Sequence, residues 1–242
     1  MHFLLALQFL TRIPVTIRSE VTEKDLARSM AWFPAVGLLL GTLAAGFYTV
    51  LSHTFPNPTC DLFVVAFLVI ITGNMHGDAL MDAADGFFSG KSREKILEIM
   101  KDSRVGSHGV MAGCLLLLAK FVLLSQIPPV AKITALILVP ALGRWPQVYG
   151  ATLYPYARNN GGTGGFTRFV GTREMCWASV TVLAAVIIML GIKGLILAGV
   201  VLTCTAILSR FISAKIGGVT GDTLGAMTEV IEVLAMVTLQ IL

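Results

Sequence analysis

Three aspartates fall at i, i+4 and i+7 in the run His76-Gly77-Asp78-Ala79-Leu80-Met81-Asp82-Ala83-Ala84-Asp85-Gly86. At about 100° per residue these spacings put all three carboxylates on one face of a helix. Like charges on one stripe repel: a pair 4 Å apart costs about 4 kcal/mol at an effective dielectric of about 20. Such a stripe calls for a cation, a proton or a basic ligand; a solvated helix end is the plain alternative. A second acidic set follows in Arg93-Glu94-Lys95-Ile96-Leu97-Glu98-Ile99-Met100-Lys101-Asp102-Ser103-Arg104, with Glu98 and Asp102 again at i, i+4. Two short helices joined through Phe87-Phe88-Ser89-Gly90 would bring Asp78, Asp82, Asp85, Glu98 and Asp102 around one or two divalent cations. Oxygen-only ligands suit Mg²⁺, with Mn²⁺ as the alternative. Hard cations clamped by carboxylates are a recurring device for phosphoryl transfer. Glu94, which extends the second stripe by one turn, is better read as part of a solvated, salt-bridged surface.

Further polar residues stand in apolar surroundings. In Gly217-Gly218-Val219-Thr220-Gly221-Asp222-Thr223, either Asp222 or Thr223 can cap the helix that follows, and Asp222 is also a candidate substrate contact. Glu229 and Glu232 lie at i, i+3 within that helix and must face the protein interior, where Arg144, Lys120 or substrate amides would answer them. The segment Tyr154–Arg173 carries Arg158 and a glycine run, Gly161–Gly165, that reads either as a lid over a nucleotide or as a linker. It lacks the phosphate-binding G-x-x-x-x-G-K-[ST] pattern. His76 and His108 adjoin the acidic sets without zinc-ligand spacing, and orienting a carboxylate is the modest role for them. Gly86 and Gly106 either let backbone approach a phosphate or simply end helices.

The elements that carry these residues belong to a membrane protein. Of 242 residues, 55% are hydrophobic and 13% charged, against about 25% charged in soluble domains; mean hydropathy is +0.81. Seven apolar segments, near 31–52, 60–76, 108–127, 132–154, 175–192, 194–212 and 223–242, are long enough, or nearly so, to cross about 30 Å of hydrocarbon. We expect an all-α, polytopic helical bundle with about seven transmembrane helices and short cytoplasmic helices. It forms one domain over 1–242 with no internal repeat. His2–Leu10 is short and apolar, reads as an interfacial or half-inserted helix, and lacks the flanks of a cleaved signal peptide. The connecting segments alternate in basic charge. Fourteen Lys and Arg, from Arg12 through Arg104 and Arg158 to Lys215, fall on one side, against Lys132 and Lys193 on the other. The positive-inside rule makes the first side cytoplasmic, which places the N-terminus and every polar motif there and the C-terminus outside. The four cysteines are scattered in apolar segments without metal-ligand spacing, and no Arg/Lys stripe with interleaved aromatics points to nucleic acid.

At this point the chain resembles known families. Asp82-Ala83-Ala84-Asp85-Gly86 resembles the D-x-x-D-G opening of the CDP-alcohol phosphotransferase motif, and Glu98-x-x-x-Asp102 is similar to its closing acidic pair. The place of that motif's A-R is taken by Ser89-Gly90, and its third acid by Glu98. Four longer strings resemble the cobalamin synthase (adenosylcobinamide-GDP ribazoletransferase) family: Phe33-Pro34-x-x-Gly37; His76-x-Asp78-x-x-x-Asp82-x-x-Asp85-Gly86; Glu98 through Asp102-Ser103-Arg104-x-Gly106-x-His108-Gly109; and Gly221-Asp222-Thr223-Leu224-Gly225-Ala226.

That resemblance implies an all-α membrane fold and Mg²⁺-dependent attack of α-ribazole, or its 5′-phosphate, on adenosylcobinamide-GDP with loss of GMP. Bottom-up chemistry assigns Asp102 as general base with Glu98 as its rival, Arg104 as a countercharge for the leaving phosphate, and Asp78, Asp82 and Asp85 as cation ligands. The substrate contacts are then His76, Gly86, His108, Arg158, Asp222, Glu229 and Glu232. The expected surroundings are a bacterial inner membrane; a homo-oligomer and an assembly with other nucleotide-loop enzymes are both open. The alternatives are a CDP-alcohol phosphotransferase of lipid synthesis, told apart by the nucleotide substrate used, and a cation-coupled transporter. The transporter is disfavoured because both acidic sets lie toward one membrane side rather than at the midplane.

Overall fold

A computed structural model describes residues 1–158 and 164–242. Among them eleven α-helices succeed one another: α1 (His2–Leu10), α2 (Glu23–Ser29), α3 (Phe33–Ser52), α4 (Asn57–Thr72), α5 (Met75–Phe88), α6 (Arg93–Ile99), α7 (Ser107–Gln126), α8 (Pro129–Leu153), α9 (Thr172–Leu190), α10 (Ile192–Ile216) and α11 (Gly221–Ile241). Short 3₁₀ turns at Met30–Trp32 and Gly165–Phe169 complete the described secondary structure. The caps are local chemistry. Thr22 and Asp25 form a reciprocal box at the start of α2, and Thr220 and Thr223 do the same at α11, satisfying amides that the helices leave unpaired.

The fold is the expected all-α membrane bundle. By length and apolarity five segments qualify as spans: Glu23–Ser52, α7, α9, α10 and α11, or six if α4 and α5 together count as one. The sequence reading anticipated about seven, and α8 accounts for the difference. It runs 25 residues through the middle of the bundle, packed against α3, α9 and α11. Its composition is diluted by Lys132, Pro140, Arg144, Pro146 and Gln147, all of them buried. A helix wrapped by other helices has no need of the continuous apolar surface that lipid demands.

Two backbone features set the layout. Along α3, Gly37 and Gly41 stand one turn apart and meet α8 so closely that a methyl group at Gly37 would lie 2.5 Å from the Ala141 Cα. Small residues at this spacing let two membrane helices pack backbone to backbone. Between α4 and α5, Gly73 (φ 63°) and Asn74 (φ 56°) both adopt the left-handed conformation, and the two helix axes diverge by 86°. A glycine makes the first of these steps cheap. With 14 residues, α5 is too short to cross alone at 1.5 Å per residue. It turns aside from α4 and packs against α7 and α11.

The helix directions sort the chain ends of the bundle into two groups. The starts of α3, α7, α9 and α11 and the ends of α4, α8 and α10 share one end with α5 and α6, and this is the end rich in Lys and Arg. Replacing Gly41 by leucine should force α3 away from α8 and cost about 1–3 kcal/mol or more, read as a lowered unfolding temperature in detergent. Gly46→Leu, at an exposed position where an added Cβ meets nothing within 4 Å, should leave that temperature nearly unchanged.

Candidate active site

The acidic stripe forms as the spacing requires, with Asp78, Asp82 and Asp85 all on α5, but the three carboxylates have different surroundings. Asp85 is committed to structure. Its two oxygens accept the amide hydrogens of Gly106 (2.7 Å) and Gly109 (2.8 Å) at the start of α7. A carboxylate here satisfies donors that a helix N-terminus leaves free and complements its dipole. Neither glycine can be enlarged without striking Asp85. Asp78 makes no side-chain hydrogen bond to any described residue and lines a cavity of about 240 Å³. Burial, reinforced by the neighbouring charges of Asp78, Asp222 and Asp85, pushes Asp82 up to about 6.

The cavity lies between α5, the start of α11 and the 3₁₀ turn at Gly165–Phe169, with Met30 and Phe33 on its far wall. Asp222 enters it from the first turn of α11 and accepts a hydrogen bond of 2.6 Å from Arg158. The Nε of Arg158 and the hydroxyl of Tyr156 are buried without a partner among the described residues. Arg158 is held in place from below. Ala157 donates to Val219 (2.8 Å) and Val219 to Pro155 (2.9 Å), and Arg93 of α6 donates to the carbonyls of Ile216 (2.7 Å) and Ala157 (3.1 Å). Of the segment Tyr154–Arg173 read as a lid, residues 159–163 lie outside the described residues, whereas Gly164 lines the cavity.

His76 is buried at the root of α5. The Gln147 side-chain amide donates to its Nε2 (3.0 Å) and to Thr228 Oγ1 (2.8 Å), so one residue of α8 joins α5 to α11. One turn along α8 lies a second polar group. Arg144 pairs with Glu232, and Lys120 of α7 pairs with both Glu232 (2.6 Å) and Glu229. The two basic partners foreseen for these glutamates are thus both engaged, and the foursome carries no formal net charge.

The second acidic set does not form the expected face. α6 ends at Ile99, so Asp102 stands beyond the helix, where its carboxylate accepts the Arg104 amide (3.0 Å) and grips the Arg104 guanidinium (2.7 Å). Those hydrogen bonds hold Asp102 down at about 2. Glu98 is exposed and pairs with Lys95 at 2.6 Å. Among the described residues no three His, Cys, Asp or Glu side chains are grouped closely enough to hold a metal ion by themselves. Gly86 faces Met100 and Ile96 and serves the packing of α6, while His108 sits on the first turn of α7 beside Phe88, ring centroids 5.8 Å apart.

Sequence reasoning missed Gln147 and Thr228. It also missed a fully buried pair at the opposite end, where Lys132 donates to both Asp61 oxygens at 2.8 Å. The only signal for the pair was a lone acid in the apolar run of α4, and Lys132 had been counted among loop charges.

A polytopic helical membrane protein with a carboxylate-lined cavity at the basic end of its bundle is the class these features define. The family model for cobalamin-5-phosphate synthase matches residues 2–240. Curated relatives named adenosylcobinamide-GDP ribazoletransferase include proteins from Desulforamulus reducens (40% identical; 94% of this chain, 91% of the relative), Caldanaerobacter subterraneus subsp. tengcongensis (39%; 99% and 97%) and Thermoanaerobacter pseudethanolicus (37%; 98% and 95%). The chain belongs to the cobalamin-5-phosphate synthase family. No solved structure matches it.

Removing one member of a buried ion-pair group leaves an uncompensated charge, a loss of about 3–5 kcal/mol. Lys120→Met should therefore lower the unfolding temperature strongly. Adding Glu229→Gln restores neutrality and should recover most of it; failure of the double variant to recover would show that charge balance is not what the lysine supplies.

Proposed function

We propose that this protein transfers the adenosylcobinamide phosphate group from adenosylcobinamide-GDP to a ribose hydroxyl of α-ribazole or its 5′-phosphate, releasing GMP. The observation that carries this reading is the cavity itself: Asp78 on the α5 wall and Asp222 on the α11 wall, with the half-satisfied Arg158 bonded to Asp222 and Asp82, one turn along α5, crowded by both carboxylates. Opposite charges facing each other across a cavity match a diphosphate and the cation that travels with it. Mg²⁺ is commonly held by one or two carboxylates with substrate phosphate and water completing its six positions. The hard-oxygen donor chemistry fits such an ion, which Asp78 and Asp82, one turn apart on α5, would hold with Asp222 beside them. Asp85 is the least available, since two amides already use it. When bound, the ion supplies neutralisation of the diphosphate charge.

The chain's own groups do the rest. Arg158 turns its free Nε to the diphosphate, and Tyr156 donates its unpaired hydroxyl there. The ribose oxygen attacks the phosphorus that carries the cobinamide; a P–O bond forms, the bond to the bridging oxygen breaks, and GMP leaves with that oxygen. The hydroxyl proton goes to a carboxylate. Asp102 in the grip of Arg104 is a weak acceptor. Neither Asp102 nor Arg104 is among the residues that line the cavity. The basic end faces the cytoplasm of a bacterial cell, by the charge asymmetry of the connecting segments.

Asp82→Asn should abolish transfer, a fall of at least 10²-fold, in a purified variant that keeps the wild-type helical content. Near-normal turnover at ordinary Mg²⁺ would remove Asp82 from the site. Orientation is checked with single cysteines in a background lacking Cys60, Cys114, Cys176 and Cys204. In intact cells an impermeant thiol reagent should label Val130→Cys, at the far end and 91% exposed, and spare Ser103→Cys. The opposite labelling would invert the topology.

A further inference from the structure

A second cleft, of about 480 Å³, opens between the segment of α2 that runs into the Met30–Trp32 turn and the first three turns of α9. Its makeup is unlike that of the acidic cavity. Arg28 and Trp32 line one wall, one turn apart; Arg173, Trp177 and Thr181 line the other at i, i+4 and i+8 on a single stripe of α9. Neither guanidinium makes a hydrogen bond or ion pair with any described residue. The two tryptophans are 46% and 60% exposed, although an indole prefers burial or a membrane–water boundary. Glu174, also in the wall, is turned back to accept the Gly171 amide at 2.9 Å, which offsets its charge against the start of α9.

Position decides the ligand class. α9 is a spanning helix, and Arg173 stands at its basic, loop-side end. The stripe therefore descends from charge through an indole and a hydroxyl into the apolar outer face, where Ile187 and Ile188 are exposed. That sequence of chemistries matches a phospholipid read from headgroup to chain: two arginines for the phosphate, two indoles at the glycerol level, apolar surface below. We propose that this cleft binds the phosphate headgroup of an anionic phospholipid, with the upper part of a chain lying along Trp177 and Thr181. The proposal rests on the membrane fold alone and is independent of the transfer reaction.

The test uses the full chain in nanodiscs. Tryptophan fluorescence is quenched by phospholipids brominated on their chains, phosphatidylglycerol or phosphatidylcholine at equal mole fraction in otherwise identical bilayers. The wild type should be quenched about twofold more by the anionic lipid. The excess should disappear in Arg28→Gln/Arg173→Gln and fall partway in Arg173→Gln alone, a substitution at an exposed residue that keeps the comparison valid should the double variant not fold. Inorganic phosphate and glycerol phosphate, added in solution, should leave the excess intact. Equal quenching by the two lipids in the wild type, or an excess that survives the double substitution, overturns the site. Loss of the excess to inorganic phosphate overturns the lipid assignment in favour of a soluble anion.

Discussion

Two acids and two bases buried at the centre of the bundle hold three helices in register: Lys120 from α7, Arg144 from α8, Glu229 and Glu232 from α11. A charge buried this deeply is costly to leave alone, so each keeps its partner. α5 lies across this trio, bound to α8 and α11 through His76, Gln147 and Thr228 and to α7 through Asp85. The acidic cavity is what remains between α5 and the start of α11 once those ties are made. The charges at the centre thus fix where the chemistry at the end takes place.

The two ends of the bundle divide the work. One end carries Asp78 and Asp222 around open space, with Asp82 and Arg158 beside them. The other is closed by Asp61 and Lys132 with no exposure to spare, under Tyr48, whose ring centre lies 5.2 Å from the lysine nitrogen. Both contain charge in apolar surroundings. Only at the first do the charges fail to satisfy one another, and unsatisfied charge facing a cavity is what a polar ligand can exploit.

Much of this was legible in the sequence. Asp78, Asp82 and Asp85 at helical spacing announced α5 and its acidic face, and the basic asymmetry of the loops announced which bundle end matters. The apolar runs located the helices that lipid surrounds. What stayed hidden depended on tertiary contacts. The pairing of Asp61 with Lys132 joins residues 71 apart, and no local pattern connects them. Asp102 reads as the next turn of a helix until the Asp102–Arg104 turn is seen to end it. α8 reads as another lipid-facing span because periodicity cannot tell a helix wrapped by protein from one wrapped by lipid. The distinct fates of three similar aspartates follow from what α7 and α11 bring to them, which one helix cannot encode.

The central foursome also bears on the order in which the molecule is made. Lys120 and Arg144 leave the ribosome with α7 and α8, whereas Glu229 and Glu232 follow only with α11, more than eighty residues after Arg144. Until then two basic side chains wait inside or beside the insertion machinery without counterions, and α5 has no α11 to lie against. α11 is therefore the piece that completes the core: its arrival neutralises Lys120 and Arg144 and closes the cavity in one event. A nascent chain halted before it would hold six of its spanning or buried helices, α3, α4 and α7 to α10, and no site.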